Sequence, residues 1–193
     1  NANGPHVSDP RTGEILESHI GWYHNIMSLL RNWYLIQTAA VDPAARKKQF
    51  DDNLMGELIR FVSSHEVGHT LGLRHNMGAS SATPVEKLRD AAFQEKNGHT
   101  SSIMDYARFN YVAQPQDGVK HLFPKIGDYD KWAIKWGYSY FEDAKTDKEE
   151  KAILNEMTKE AYKNRRLWFG TESSPYDPRY QTEDIGDNAM KAS

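Results

Sequence analysis

Cysteine is absent from all 193 residues. That removes disulfides, thiolate metal sites and a cysteine nucleophile from consideration, but leaves the compartment open, since exported proteins can manage without disulfides. No apolar run approaches the ~20 residues that a membrane-spanning helix needs. An excess of one charge is also lacking. The 24 Lys and Arg stand against 27 Asp and Glu, a net of −3, which gives no reason to expect nucleic acid or an anionic membrane as the main partner. There is no initiator Met, no visible signal peptide and no internal repeat. The chain opens Asn1-Ala2 and runs straight into turn-like sequence, so residues 1–2 read as a cloning scar ahead of an excised segment.

Hydrophobic residues make up 38% and charged ones 26%, a globular but polar composition with length for one ordinary domain. Asp9-Pro10-Arg11-Thr12-Gly13 is turn chemistry, and predicts a β-hairpin with strands over residues 5–8 and 14–20. Helical spacing then covers residues 22–41, and Asp42-Pro43 starts a short second helix. A longer helix is expected over residues 53–70. Along it Leu54, Leu58, Phe61, His65, His69 and Gly72 share one face, and Gly72 ends it. Thr83-Pro84-Val85-Glu86 predicts a capped helix that stops at Asn97-Gly98. Residues 99–124 read as loops. Further helices are expected over 128–136, closed by Gly137, and from the capping box at Thr146 to about 166. From Gly170 onward the chain reads as an extended excursion over the surface.

The chemistry is concentrated in His65-Glu66-Val67-Gly68-His69-Thr70-Leu71-Gly72-Leu73-Arg74-His75. Two histidines four apart on a helix reach one ion, and three neutral imidazoles leave a fourth position open for water. Glycine at 72 lets the chain turn so that His75 swings back to the metal. Glu66 sits beside the ion without binding it, where it can take a proton from the activated water. At this chain's composition the five fixed positions coincide by chance roughly once in ten thousand chains. Coincidental histidines at a helix end are therefore the weaker reading.

This motif resembles the zinc signature of the metzincin metalloproteases. Ser102-Ile103-Met104-Asp105-Tyr106, about thirty residues on, is similar to the clan's methionine turn. The resemblance implies Zn2+ held by His65, His69 and His75, Glu66 as general base, and Met104 as an apolar floor. It also implies that Tyr106 approaches the metal or stabilises the oxyanion. The stretch Ile126-Gly127-Asp128-Tyr129-Asp130-Lys131-Trp132-Ala133-Ile134, with Tyr138, resembles the clan's closing helix. The span from Asp9-Pro10-Arg11-Thr12-Gly13-Glu14-Ile15 through the methionine turn is similar to a group of long, uncharacterised bacterial zinc-dependent metalloproteases, which implies a secreted, periplasmic or cell-surface protein. Two departures from the clan pattern stand out. Asn76 follows the third histidine and Asp105 follows the methionine, and few residues precede His65 to form the usual sheet.

The expected fold is α+β and predominantly helical, a metzincin-like catalytic domain with most of the N-terminal sheet missing. Residues 3–141 form the catalytic core, and residues 142–193 a C-terminal helix and tail. The expected function is hydrolysis of peptide or protein substrates. A zinc amidase acting on a non-peptide substrate, and a non-catalytic module with a structural zinc site, are the alternatives. With flanking strands missing, the edge at residues 14–20 and its apolar Ile15, Leu16, Ile20 and Trp22 should pair chain to chain. The isolated His19, His24, His99 and His121 read as ordinary residues rather than a second metal site. Trp132, Trp136 and Tyr138 read as helix packing. Asp177, Asp184 and Asp187 read as a solvated loop rather than a calcium site.

Overall fold

The computed structural model describes residues 2–171 and 176–193. Asn1, and the tail residues 172–175, lie outside them. The hairpin forms where turn chemistry places it. Strand β2 (His6–Ser8) pairs antiparallel with β3 (Ile15–Ser18), with a bulge between Val7 and Ser8. The Asp9 carboxylate accepts the Arg11 backbone N–H at 2.8 Å, and Gly13 takes the left-handed position at φ 78°. A second ribbon pairs β1 (Ala2–Asn3) with β4 (Gly21–Trp22). That pairing takes Trp22 out of helix α1, which runs Ile26–Thr38 rather than from residue 22. Among the described residues each sheet has two strands, and Leu16, Ile20 and Trp22 are exposed. Ile15 instead packs toward Gly72.

Helix α1 buries Ile26, Leu30, Tyr34 and Thr38, at a spacing of four, against α2 (Asp52–Thr70). The Asp51 side chain caps α2 by accepting from Leu54 N–H at 3.0 Å. Its end is a Schellman motif. Leu73 N–H donates to Gly68 O, Gly72 N–H donates to His69 O, and Gly72 has φ 86°. Asp42 caps a short 3-10 turn, Pro43–Arg46, and accepts the Tyr34 hydroxyl at 2.7 Å. Beneath these elements Tyr34, Phe50, Phe61, Phe109 and Phe123 make edge and stacked contacts, and Met104 completes the core.

Three further expected helices differ. The Thr83 capping box does not form, because Thr83 is buried and its hydroxyl accepts from Arg166. The segment breaks into a 3-10 turn, Val85–Arg89, and α3 (Ala91–Asn97), capped by Asp90. Helix α4 (Asp128–Tyr138) runs through Gly137, because Trp136 donates to Leu154 O and the Tyr138 hydroxyl to Leu71 O. Helix α5 (Asp147–Ala161) stops short of 166, where Asn164 caps a separate turn, Arg165–Leu167. The tail is more than a surface excursion. Ile185 is fully buried with Val85, Leu88 and Ala107, and a last helix, α6 (Ala189–Ala192), lies beside them.

Residues 99–110 have no regular structure but are almost wholly buried. Asp130 anchors them. Its carboxylate accepts from Ile103 N–H and Gly127 N–H, each at 2.7 Å, and from the Ser102 hydroxyl at 2.5 Å. A β-carbon on Gly127 would stand 2.0 Å from Ser101 O. Gly127→Ala should therefore destabilise the metal-free protein by about 1–3 kcal/mol, the usual cost of overpacking. Urea denaturation measures it, and wild-type stability would mean that this loop–helix contact is loose.

Candidate metal centre

The end of α2 carries His65 and His69 one turn apart, and the Gly72 turn returns His75 to them. The three offer ring nitrogens that all lie within 4.8 Å of one another, and they are the one such metal-capable group found among the described residues. His65 Nδ1 lies 2.8 Å from Ile103 O and His69 Nδ1 2.9 Å from Leu73 O. A carbonyl only accepts, so both imidazoles carry their proton on Nδ1 and leave the Nε2 lone pair for a ligand. His69 Nε2 stands 3.1 Å from His75 Nε2. Two nitrogens on one tetrahedral zinc at 2.0–2.1 Å are about 3.3–3.4 Å apart, so the donor set fits that ion.

Burial lowers the pKa of His65 to about 4, against the Ile103 hydrogen bond that raises it and with His69, His75 and Arg108 lowering it further. It is thus neutral near pH 7, the form that binds metal. Glu66 is buried beside the cluster, and loss of solvent raises its pKa, opposed by His69. Met104 is fully buried beneath α2. A β-carbon on Gly68 would lie 2.3 Å from its sulfur, so glycine there is what lets the methionine in. The Tyr106 hydroxyl is 2.9 Å from His75 Nε2. His65, Glu66, His69, His75, Met104 and Tyr106, all singled out in the sequence, are therefore gathered here.

Other site neighbours had no signal in the sequence. Residues 2–6 run over the cluster: a β-carbon on Gly4 would be 2.3 Å from Glu66 O, and the His6 ring lies 3.0 Å from His69 O. With His65, Glu66, His69, His75 and Tyr106 they line a cleft of about 580 Å³. A second hollow, about 190 Å³, opens on Glu66 and His65 between Ile26, Trp33, Val62 and Arg108. Asn76 and Asp105, the residues at which the motifs depart from the clan pattern, both tie buried loops together. Asn76 accepts from Gly170 N–H, donates to Trp168 O, and sends its own N–H to Met104 O. Asp105 is fully buried, accepts from Ser80 N–H and Thr100, and has its pKa raised by burial.

Outside the cluster, His99 is buried with its Nε2 3.3 Å from Arg108 O. His121 faces Glu95 on the surface. Asp177 pairs with Arg179, and Asp187 accepts from Val85 N–H. No helix among the described residues is long and apolar enough to cross a membrane.

The profile of a family described as Met-zincin matches residues 47–193, most of the chain. No curated protein and no solved structure gives a match.

Metal titration tests the third ligand. His75→Ala should weaken zinc binding at least ten-fold, whereas surface His121→Ala leaves it unchanged. Equal affinities would reduce the centre to the two helix histidines.

Proposed function

This chain belongs to the Met-zincin family, and from that premise we propose that it is a zinc-dependent peptidase, with His65, His69 and His75 as ligands and Glu66 as general base. The observation that carries the reading is the convergence of three imidazole nitrogens beside a buried glutamate on an open cleft. When bound, zinc supplies a Lewis acid that polarises the scissile carbonyl and makes water nucleophilic near neutral pH. Glu66 accepts a proton from the attacking water and returns it to the amine nitrogen as the C–N bond breaks. Its raised pKa suits both halves of that task, since the carboxyl must take a proton and give it up again. Tyr106 donates its hydroxyl to the negative charge that develops on the carbonyl oxygen. Residues 2–6 form the upper rim of the cleft against which an extended peptide lies.

Glu66→Gln keeps the size and polarity of the side chain but not its basicity. It should leave zinc stoichiometric and lower turnover by roughly 10²–10⁴. Wild-type hydrolysis by that variant would end the mechanism. A cleavage profile over an unbiased peptide library separates a peptidase from an amidase acting on other substrates, and zinc binding without any hydrolysis would favour a structural site.

Self-association belongs to the same proposal. Strand β3 has an open edge, with Leu16 and Ile20 exposed beside it. Light scattering should give a mass above that of one chain, and Leu16→Lys should return it to a monomer. A monomer at every concentration would contradict this.

A further inference from the structure

Among the described residues, two that are not glycine have positive φ: Arg108 at 58° and Glu183 at 68°. This is a backbone region that side chains other than glycine rarely enter, and it persists where the surroundings over-determine it. These two residues, 75 apart in sequence, are bonded to each other. Arg108 Nε reaches both Glu183 oxygens, at 3.0 and 2.8 Å, and Nη2 reaches Oε1 at 2.6 Å. The guanidinium so fixed lies between two rings, 4.1 Å from the centroid of Trp33 and 4.8 Å from that of Tyr106. The Glu183 backbone N–H also donates to Tyr106 O at 3.1 Å. Two residues further on, Ile185 is buried against the cluster that holds Ala107.

The tail thus grips Tyr106 twice, by its backbone and, through Arg108, by its ring. The phenol so held has its hydroxyl 2.9 Å from His75 Nε2. Arg108 itself is poorly placed to bind an anionic substrate, because its charge is already met by a bidentate carboxylate. We infer that Glu183 and Arg108 are positioning residues for Tyr106, so that the C-terminal segment is a working part of the active site. This rests on the proposed role of Tyr106 as oxyanion donor.

The discriminating experiment is a double-mutant cycle with a structural readout. Glu183→Gln should keep the wild-type melting temperature, zinc content and KM, and lower kcat roughly ten-fold, in the range of losses seen when the support of a site group is removed. In a Tyr106→Phe background the same change should cost nothing more. Lys191→Ala breaks the exposed ion pair between the tail and Glu86 and should leave kcat unchanged, so general loosening of the tail is told apart from loss of the clamp. In metal-free protein labelled with 13C-tyrosine, the signal missing from Tyr106→Phe identifies Tyr106. That signal should move in Glu183→Gln and stay in place in Lys191→Ala. Wild-type kcat with an unmoved signal would overturn the inference, as would an equal loss with and without the Tyr106 hydroxyl. If Tyr106→Phe alone has full activity, the oxyanion reading fails instead, and the labelled signal still decides whether the clamp positions the ring.

Discussion

Residues 101–106 bring Met104 and Tyr106 against the three-histidine cluster, yet no helix or strand holds them. Their place is set by the buried carboxylate of Asp130, whose two oxygens take hydrogen bonds from Ile103 N–H, Gly127 N–H and the Ser102 hydroxyl. Ser102 in turn accepts from Met104 N–H at 3.0 Å. Ile103 then presents its carbonyl to His65 Nδ1, and Met104 its sulfur to the Gly68 notch in α2. Burial raises the pKa of Asp130 while these three donors lower it. Removing the acceptor would leave two buried backbone N–H groups unmet, at about 1–3 kcal/mol each. The orientation of the first imidazole therefore depends on a side chain from a helix far along the chain.

The same device recurs around the centre. Asn76 joins the third histidine's neighbourhood to Met104 and to Gly170, while Asn110 spans Leu88 O and Ala113 N–H. In a chain with little sheet, side-chain amides and carboxylates do for these buried loops what a ladder of backbone bonds does elsewhere. The apolar core is correspondingly narrow. It consists mainly of the aromatic cluster under α1 and α2, which packs against α2 up to the turn that carries the histidines. The cleft is then finished from both ends of the chain, by residues 2–6 above Glu66 and by the tail behind Tyr106.

Much of the centre could be read in advance because it is local. The spacing from Leu54 to His69 places apolar residues and imidazoles on one helical face, and Gly72 marks the helix stop. Where the structure departs from a local signal, a distant partner outcompetes it. Thr83 has the form of a cap but serves Arg166. Gly137 has the form of a stop, but tertiary bonds from Trp136 and Tyr138 carry α4 past it. Trp22 has helical spacing but pairs with Ala2. The tail is too polar in sequence to signal packing, yet Ile185 and Ala192 join a buried cluster with Val85, Leu88 and Ala107, and Glu183 and Asp187 bond to the body of the chain.

The sequence by itself determined the spacing of the three imidazoles, the glutamate between them, the glycine that returns the third imidazole and, by resemblance, the methionine-bearing segment. The imidazoles, the glutamate and the glycine follow from backbone periodicity or from the conformational freedom of one residue, rules that act over fewer than a dozen positions, whereas the methionine-bearing segment is read only from its resemblance to the metzincin turn. Only the tertiary structure decided what surrounds them: the rim from residues 2–6, the Asp130 anchor, and the pairing of Arg108 with Glu183. Those contacts join residues tens of positions apart. Their geometry comes from how the elements pack, and no spacing along the chain encodes it.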